Sequence, residues 1–162
     1  SPIAVFIGAF PGAFPPLIGY FAAFNEPQIS WIPIILFLIQ FVWQFPHFWA
    51  IAWVLDEDYK RAGFRLLPST KQDKASAMIT LLSTIILIPV SLMPTVYLMP
   101  SGQAFGGSIY AIVVILAGLY FVWQAVQLYN KRDVASAKKL MYTSFVYLPV
   151  MQLALLFDFI VK

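Results

Sequence analysis

The sequence predicts an all-α integral membrane protein in which five transmembrane helices form a kinked bundle. Its composition is 61% hydrophobic and 10% charged, whereas soluble domains are about a quarter charged and about half apolar. Five apolar stretches reach the roughly 20 residues that a helix needs to cross a bilayer. None of them alternates polar and apolar residues as barrel strands do, and a helix satisfies all of its own backbone groups in lipid.

The five predicted helices account for most of the chain. The first apolar stretch lacks a preceding basic segment, so we expect a mature helix and not a signal peptide. The absence of cysteine excludes disulfides, zinc–thiolate sites and iron–sulfur clusters. The net charge of +3 is too small and too localised in loops to indicate nucleic-acid binding. The predicted helices span residues 3–24, 31–55, 76–98, 108–129 and 139–161.

Proline interrupts all of these helices except the fourth. Each interior proline removes a backbone donor and frees a carbonyl one turn back, so we expect kinks; ordinary membrane packing is the alternative explanation for each. Pro46 lies next to His47, and its kink is expected to expose polar backbone to a cavity. Gly8 and Gly12, four residues apart, permit close approach of a second helix. The other interior prolines are Pro11, Pro15, Pro16, Pro89, Pro94 and Pro149.

The loops between the predicted helices alternate in charge. Loops 56–75 and 130–138 carry nearly all the lysines and arginines, whereas 25–30 and 99–107 carry none. Because basic loops stay on the cytoplasmic side, we expect both basic loops and the N-terminus to face the cytoplasm. The expected location is the inner (plasma) membrane of a cell, crossed several times.

The second helix carries the only histidine, His47. At about 100° per residue, His47 and Asp58 lie within about 20° of one face and about 16 Å apart along the axis. This predicted face is polar at both ends and suits a substrate with a charged head and a hydrocarbon tail. The alternative is a packed histidine that is hydrogen-bonded to a neighbouring helix. The face comprises Gln40, Trp43, His47, Ile51, Val54 and Asp58.

Three consecutive carboxylates, Asp56, Glu57 and Asp58, end this apolar segment. Oxygen ligands of this kind suit Mg²⁺, which commonly binds one or two carboxylates together with substrate phosphates. Nearby cations can hold phosphate oxygens; these are Lys60, Arg61 and Arg65. The alternative is a solvated loop of mixed charge.

The stretch from Pro46 to Pro68 is the most specific segment of the chain. It reads P-H-F-W-A-I-A-W and then D-Y-K-R-A-G-F-R-L-L-P, and it resembles the signature of heme O synthase, or protoheme IX farnesyltransferase. That family belongs to the UbiA-type intramembrane prenyltransferases. The segment from Ser1 to Gly19 is similar to the family's fifth helix, whereas the last three helices match mainly in length and spacing.

The resemblance implies half of a nine-helix prenyltransferase fold, helices five to nine. It implies transfer of a farnesyl group from farnesyl diphosphate to a vinyl group of heme B, with Mg²⁺ as cofactor. The implied partners are the lipid bilayer and the N-terminal half of the same protein. That half carries the family's first acidic motif, of the N-D-x-x-D type, which this sequence lacks. We therefore expect the isolated chain to be inactive.

The resemblance also implies roles for individual residues. Asp58 and Tyr59 are the expected catalytic residues, and Asp58 and Asp56 the expected metal ligands. His47, Trp43 and Trp49 are expected to form an aromatic pocket for the heme, in which His47 ligates the iron or forms a hydrogen bond. Lys60, Arg61 and Arg65 are expected to bind the diphosphate.

The resemblance also indicates a branch of the superfamily. Val54 and His47 stand where quinone-type relatives have acidic residues, which favours the heme branch. Arg65 stands where many heme O synthases have proline, which affects the expected shape of the loop. A quinone or other aromatic prenyltransferase is the alternative within the class. Half of a membrane transporter is the alternative outside it, because transporters also use kinked helices with polar groups at mid-membrane.

Overall fold

The computed structural model describes residues 1–23, 30–99 and 101–161. Within these residues every regular element is an α-helix, and five of the six helices are long and apolar enough to cross a membrane. The all-α prediction of five membrane helices is therefore confirmed. The helices are α1 (Ile3–Ala22), α2 (Ile32–Val54), α3 (Asp56–Arg61), α4 (Lys74–Val96), α5 (Ser108–Lys131) and α6 (Val134–Val161).

The predicted boundaries differ from the observed ones at two places. Residues 56–61 were expected to belong to a loop and instead form the short helix α3. Helix α6 begins at Val134, earlier than the predicted start at 139, because the side chain of Asp133 accepts a hydrogen bond from the Ser136 amide and caps the helix. Most of the predicted loop 25–30 lies outside the described residues.

Helices α2, α4, α5 and α6 form a closed four-helix ring. In this ring α2 and α5 each pack against both α4 and α6. Among the described helices, α1 packs against α2 alone, and most of its surface is exposed. Helix α2 therefore lies between α1 and the rest of the bundle.

Glycine brings α1 close to α2 at one point. A Cβ atom at Gly12 would overlap the side chain of Gln44, and Gln44 Nε2 donates to the Ala9 carbonyl at 3.0 Å. Gly8 behaves differently, since a Cβ atom there would meet nothing within 4 Å. The predicted close approach is confirmed at Gly12, whereas Gly8 borders open space.

Helices α4 and α6 are related in sequence and in burial. Both begin with Asp-x-Ala-Ser-Ala and contain Pro-Val at the same later position. Both are capped in the same way, since Asp73 accepts from the Ser76 amide at 2.8 Å and Asp133 accepts from the Ser136 amide at 2.7 Å. The first five buried residues of each helix occupy matching positions: Ser76, Ala77, Thr80, Thr84 and Leu87 in α4 match Ser136, Ala137, Leu140, Ser144 and Tyr147 in α6.

Buried polar groups join the helices at the end of the bundle opposite the Asp73 and Asp133 caps. Asp158 of α6 is 5% exposed and accepts from the Tyr110 amide in the first turn of α5 at 2.7 Å. The Tyr110 hydroxyl donates to the Ser91 carbonyl at 2.6 Å, and the Tyr147 hydroxyl is 3.0 Å from Ser91 Oγ. These bonds hold α4, α5 and α6 at a fixed relative depth.

The two aspartate caps predict a pH-dependent stability. The hydroxyl of Ser69 and the Ser76 amide lower the pKa of Asp73, and the Ser136 amide lowers the pKa of Asp133. Their contribution is therefore present above about pH 4 and lost as the pH falls through the lowered pKa. Replacing either residue by alanine should cost about 1 kcal/mol at pH 7 and much less at pH 3. Thermal unfolding in detergent measures this, and equal losses at both pH values would contradict it.

Candidate functional site

The basic loop between α3 and α4 is anchored to the end of the bundle. Leu67 is 1% exposed and inserts into the core beside Trp53. The Gln72 side chain donates to the Trp53 carbonyl at 2.7 Å, and the Ser69 hydroxyl donates to Asp73 at 2.6 Å. The loop therefore has a defined position over the bundle. Leu67 lies within the stretch that carries the resemblance but has no role predicted from it, and the amide side chain of Gln72 gives no signal in the sequence.

Helix α3 separates its charges into an inner and an outer set. Lys60 Nζ lies 2.6 Å from the carboxylate of Asp56, which is 3% exposed, and 3.0 Å from that of Glu57. These contacts raise the pKa of Lys60, and the hydrogen bond from Lys60 lowers the pKa of Glu57. Asp58 is exposed, with Arg61 3.9 Å away.

The structure does not bring the two predicted metal ligands together. Asp56 and Asp58 are two residues apart on a helix, so their side chains project on nearly opposite sides, about 160° apart. Asp56 is already bonded to Lys60, which leaves Asp58 as the carboxylate that is open to a cation. In the described part of the chain, no three His, Cys, Asp or Glu side chains are grouped to hold a metal. The Mg²⁺ site therefore stays a prediction. Of its two predicted ligands, Asp58 is the one that is free to bind the ion.

An apolar cavity of about 250 Å³ lies where α1, α2 and α3 meet. Tyr59 and Leu66 contribute to its wall, and the missing side chain of Gly8 leaves it room. Its remaining lining residues are Ala4, Val5, Phe48 and Ile51. Of the predicted site residues outside α2, Tyr59 lines the cavity and Lys60 is paired, whereas Arg61 and Arg65 are exposed.

His47 lies at the contact between α2 and α6. Its ring stacks on Trp43 with centroids 4.4 Å apart, and its Nδ1 lies 2.8 Å from Ser144 Oγ. The Trp43 indole donates to the Ser144 carbonyl at 3.0 Å, and the rings of Phe145 and His47 are nearly perpendicular with centroids 4.9 Å apart. On its Nδ1 side, His47 is therefore packed and hydrogen-bonded to a neighbouring helix, as in the alternative considered from the sequence. Sequence analysis did not identify Ser144 or Phe145.

Two parts of the predicted site are not brought together. Trp49 lies on the other side of α2, next to Phe45 with centroids 5.4 Å apart, so it shares no pocket with Trp43 and His47. The single face predicted to run to Asp58 is wrong, because α2 ends at Val54 and the backbone leaves helical geometry at Leu55. His47 is buried, whereas Asp58 is exposed.

Comparison with known proteins assigns the chain to a family. The model described as the UbiA prenyltransferase family matches residues 1–153. The chain belongs to this family. No solved structure matches it.

The most informative relatives bear one name. The chain is 47% identical over 159 residues to a protoheme IX farnesyltransferase of Cytophaga hutchinsonii, covering 98% of this chain and 53% of that protein. It is 44% identical over 156 residues to one of Flavobacterium psychrophilum, covering 96% and 51%, and 40% identical over 154 residues to one of Solibacter usitatus, covering 94% and 50%. These matches confirm the resemblance found in the sequence. The chain spans about half the length of the curated relatives it matches.

The ion pair between buried Asp56 and half-buried Lys60 generates a prediction about stability. Lys60→Met should lower the unfolding temperature, because it leaves the buried Asp56 carboxylate without its cation. Adding Asp56→Asn should restore much of the loss, since the charge is then removed. Asp58→Asn is the matched control on the exposed side of α3 and should change little. Thermal unfolding in detergent compares the three variants with the parent. A Lys60→Met protein as stable as the parent would contradict the pairing.

Proposed function

We propose that this chain forms part of an enzyme that transfers a farnesyl group from farnesyl diphosphate to a vinyl group of heme B, giving heme O and diphosphate. The observation that carries the proposal is the 47% identity over 98% of the chain to a protein named protoheme IX farnesyltransferase. The structure supports it with an apolar cavity directly beside the charged helix α3.

The geometry suits a substrate with an anionic head and a hydrocarbon tail. The exposed Arg61 and Arg65 can bind diphosphate oxygens, whereas Lys60 is already held by two carboxylates. The cavity lined by Tyr59 and Phe48 suits a prenyl chain near its reacting end. Mg²⁺ bound at Asp58 would add positive charge against the leaving diphosphate.

The proposed reaction begins when the bond between the farnesyl carbon and the diphosphate oxygen breaks. The aromatic rings of Tyr59 and Phe48 can stabilise the allylic cation that results, and the apolar wall keeps water away. The vinyl group of heme B supplies the electron pair for the new carbon–carbon bond. The cation thereby formed next to the macrocycle takes up water and loses a proton, which leaves a hydroxyl. His47 and Trp43 are proposed to contact the heme.

The membrane in which the protein lies and the source of the remaining catalytic groups are also proposals. The five membrane helices support a multi-pass membrane protein, and we place it in the inner membrane with loops 56–75 and 130–138 in the cytoplasm. We further propose that the remaining catalytic groups come from the other half of the family protein. A quinone or other aromatic prenyltransferase is the second candidate, distinguished by which acceptor is alkylated. A transporter half would bind substrates without releasing diphosphate.

Asp58 provides the direct test of the acidic site. In the family protein containing this chain, Asp58→Asn should lower the rate of diphosphate release about a hundredfold, as expected when charge stabilisation of a leaving group is removed. Heme binding and unfolding temperature should stay near those of the parent, because Asp58 is exposed and makes only a loose contact with Arg61. Normal turnover of Asp58→Asn at ordinary Mg²⁺ concentrations would refute the assignment.

The activity of the chain by itself is a separate prediction. The purified chain of 162 residues should release no more diphosphate from farnesyl diphosphate than a heat-treated sample, because α3 exposes one predicted metal ligand and buries the other. Diphosphate is measured by a coupled assay, with the longer family protein as positive control. Release above the heat-treated background would show that the chain suffices.

A further inference from the structure

The hydroxyl of Ser144 lies between two polar atoms. Ser144 Oγ is 2.6 Å from the Met141 carbonyl oxygen and 2.8 Å from His47 Nδ1. A serine hydroxyl has one hydrogen to donate, and a carbonyl oxygen can only accept. If the hydrogen pointed to His47, two oxygen atoms would face each other at 2.6 Å with no hydrogen between them. The hydrogen therefore points to Met141, and His47 Nδ1 must carry the hydrogen of the second bond.

From this geometry we infer that Ser144 is a positioning residue that holds neutral His47 with its hydrogen on Nδ1 and its lone pair on Nε2. The second ring nitrogen is the acceptor in this tautomer. Nε2 has no hydrogen-bond partner among the described residues. Its lone pair is thus not used by a contact within the described part of the chain.

The surroundings of His47 keep the ring in this orientation. Trp43 stacks on one face of the ring and donates its own indole hydrogen to the Ser144 carbonyl. Phe145 packs perpendicular to the ring. Rotating the ring to present Nε2 to Ser144 would break the bond to Nδ1 and disturb the stacked pair. The residues that contact the ring, namely Trp43, Phe48, Ser144 and Phe145, carry no charge that would compete for the lone pair.

The tautomer limits what His47 can bind. Nε2 can ligate a transition metal, accept a hydrogen bond or take a proton from water, but it cannot donate to a carboxylate. Under the proposed function, on which this step rests, His47 acts as an acceptor toward the heme iron or toward the water that completes the reaction. The same tautomer excludes a donor role toward the carboxylates of the macrocycle. The sequence alone left the kind of contact open.

Helix α4 supplies a conservative variant and a matched control. Thr84 holds the equivalent buried position and donates to the Leu81 carbonyl at 2.7 Å, as Ser144 donates to Met141. Threonine thus forms the same bond at a buried helical position, and we expect Ser144→Thr to keep the hydroxyl in place. Thr84→Ala removes a similar buried hydroxyl from α4, which forms no hydrogen bond and no ring contact with His47 among the described residues, so it controls for loss of packing.

The test is nitrogen-15 NMR of histidine-labelled family protein containing this chain, with His47→Gln used to assign the signal of His47. We expect a protonated Nδ1 and an unprotonated Nε2 in the parent, in Ser144→Thr and in Thr84→Ala. Ser144→Ala should give a mixed tautomer and lower heme affinity or turnover about tenfold, the usual effect of losing a partner that orients a ligating histidine. A protonated Nε2 in the parent, or an unchanged tautomer in Ser144→Ala, would overturn the inference.

Failure of the proposed function would look different. If the tautomer is as inferred but the protein neither binds heme nor releases diphosphate, the positioning role stands and the assigned reaction fails. If heme O forms while Nε2 carries the hydrogen, the reaction stands and the positioning role fails. Equal losses of turnover in Ser144→Ala and Ser144→Thr, with no change in the NMR signal, would reduce Ser144 to a packing residue and overturn the inference.

Discussion

The structure depends on helix α2, whose buried polar groups bond in three directions. Gln44 donates to α1, Trp43 and His47 bond to Ser144 of α6, and the Trp53 carbonyl accepts from the loop before α4. A polar group without a partner costs several kcal/mol in lipid, so these bonds fix the rotation and the depth of α2 together. The proposed heme-contacting residues Trp43 and His47 are therefore placed by the same contacts that hold the helices together.

The membrane helices could be predicted because hydrophobic length is a property of each segment by itself. The short helix α3 could not, since its six charged or aromatic residues form a pattern that a solvated loop also shows. The early start of α6 depends on Asp133 as a cap, and the same pattern at Asp73 was an available signal. The repetition of Asp-x-Ala-Ser-Ala in α4 and α6 would have revealed both caps and the matching buried positions.

The candidate site could be predicted only in its residue types. The exposed Asp58 and the cations Arg61 and Arg65 follow from their place in a charged loop. The position of His47 relative to Asp58 required the assumption of an unbroken helix, which the backbone at Leu55 does not satisfy. The partner of His47 is 97 residues away, and nothing in the sequence of α2 indicates it. Contacts between distant helices are decided by packing, which a single sequence does not display.

The division of charge on α3 explains how one short helix can serve both structure and chemistry. Asp56 and Lys60 are one turn apart, so they face the same way and neutralise each other against the bundle. Asp58 and Arg61 occupy the opposite side and remain hydrated. Burial of Asp56 beside Lys60 fixes the rotation of α3, because turning the helix would separate the buried side from the bundle and bury unpaired charges. The outer carboxylate and the arginines are consequently held in place near Tyr59 and the apolar cavity by a pair that takes no part in the proposed reaction.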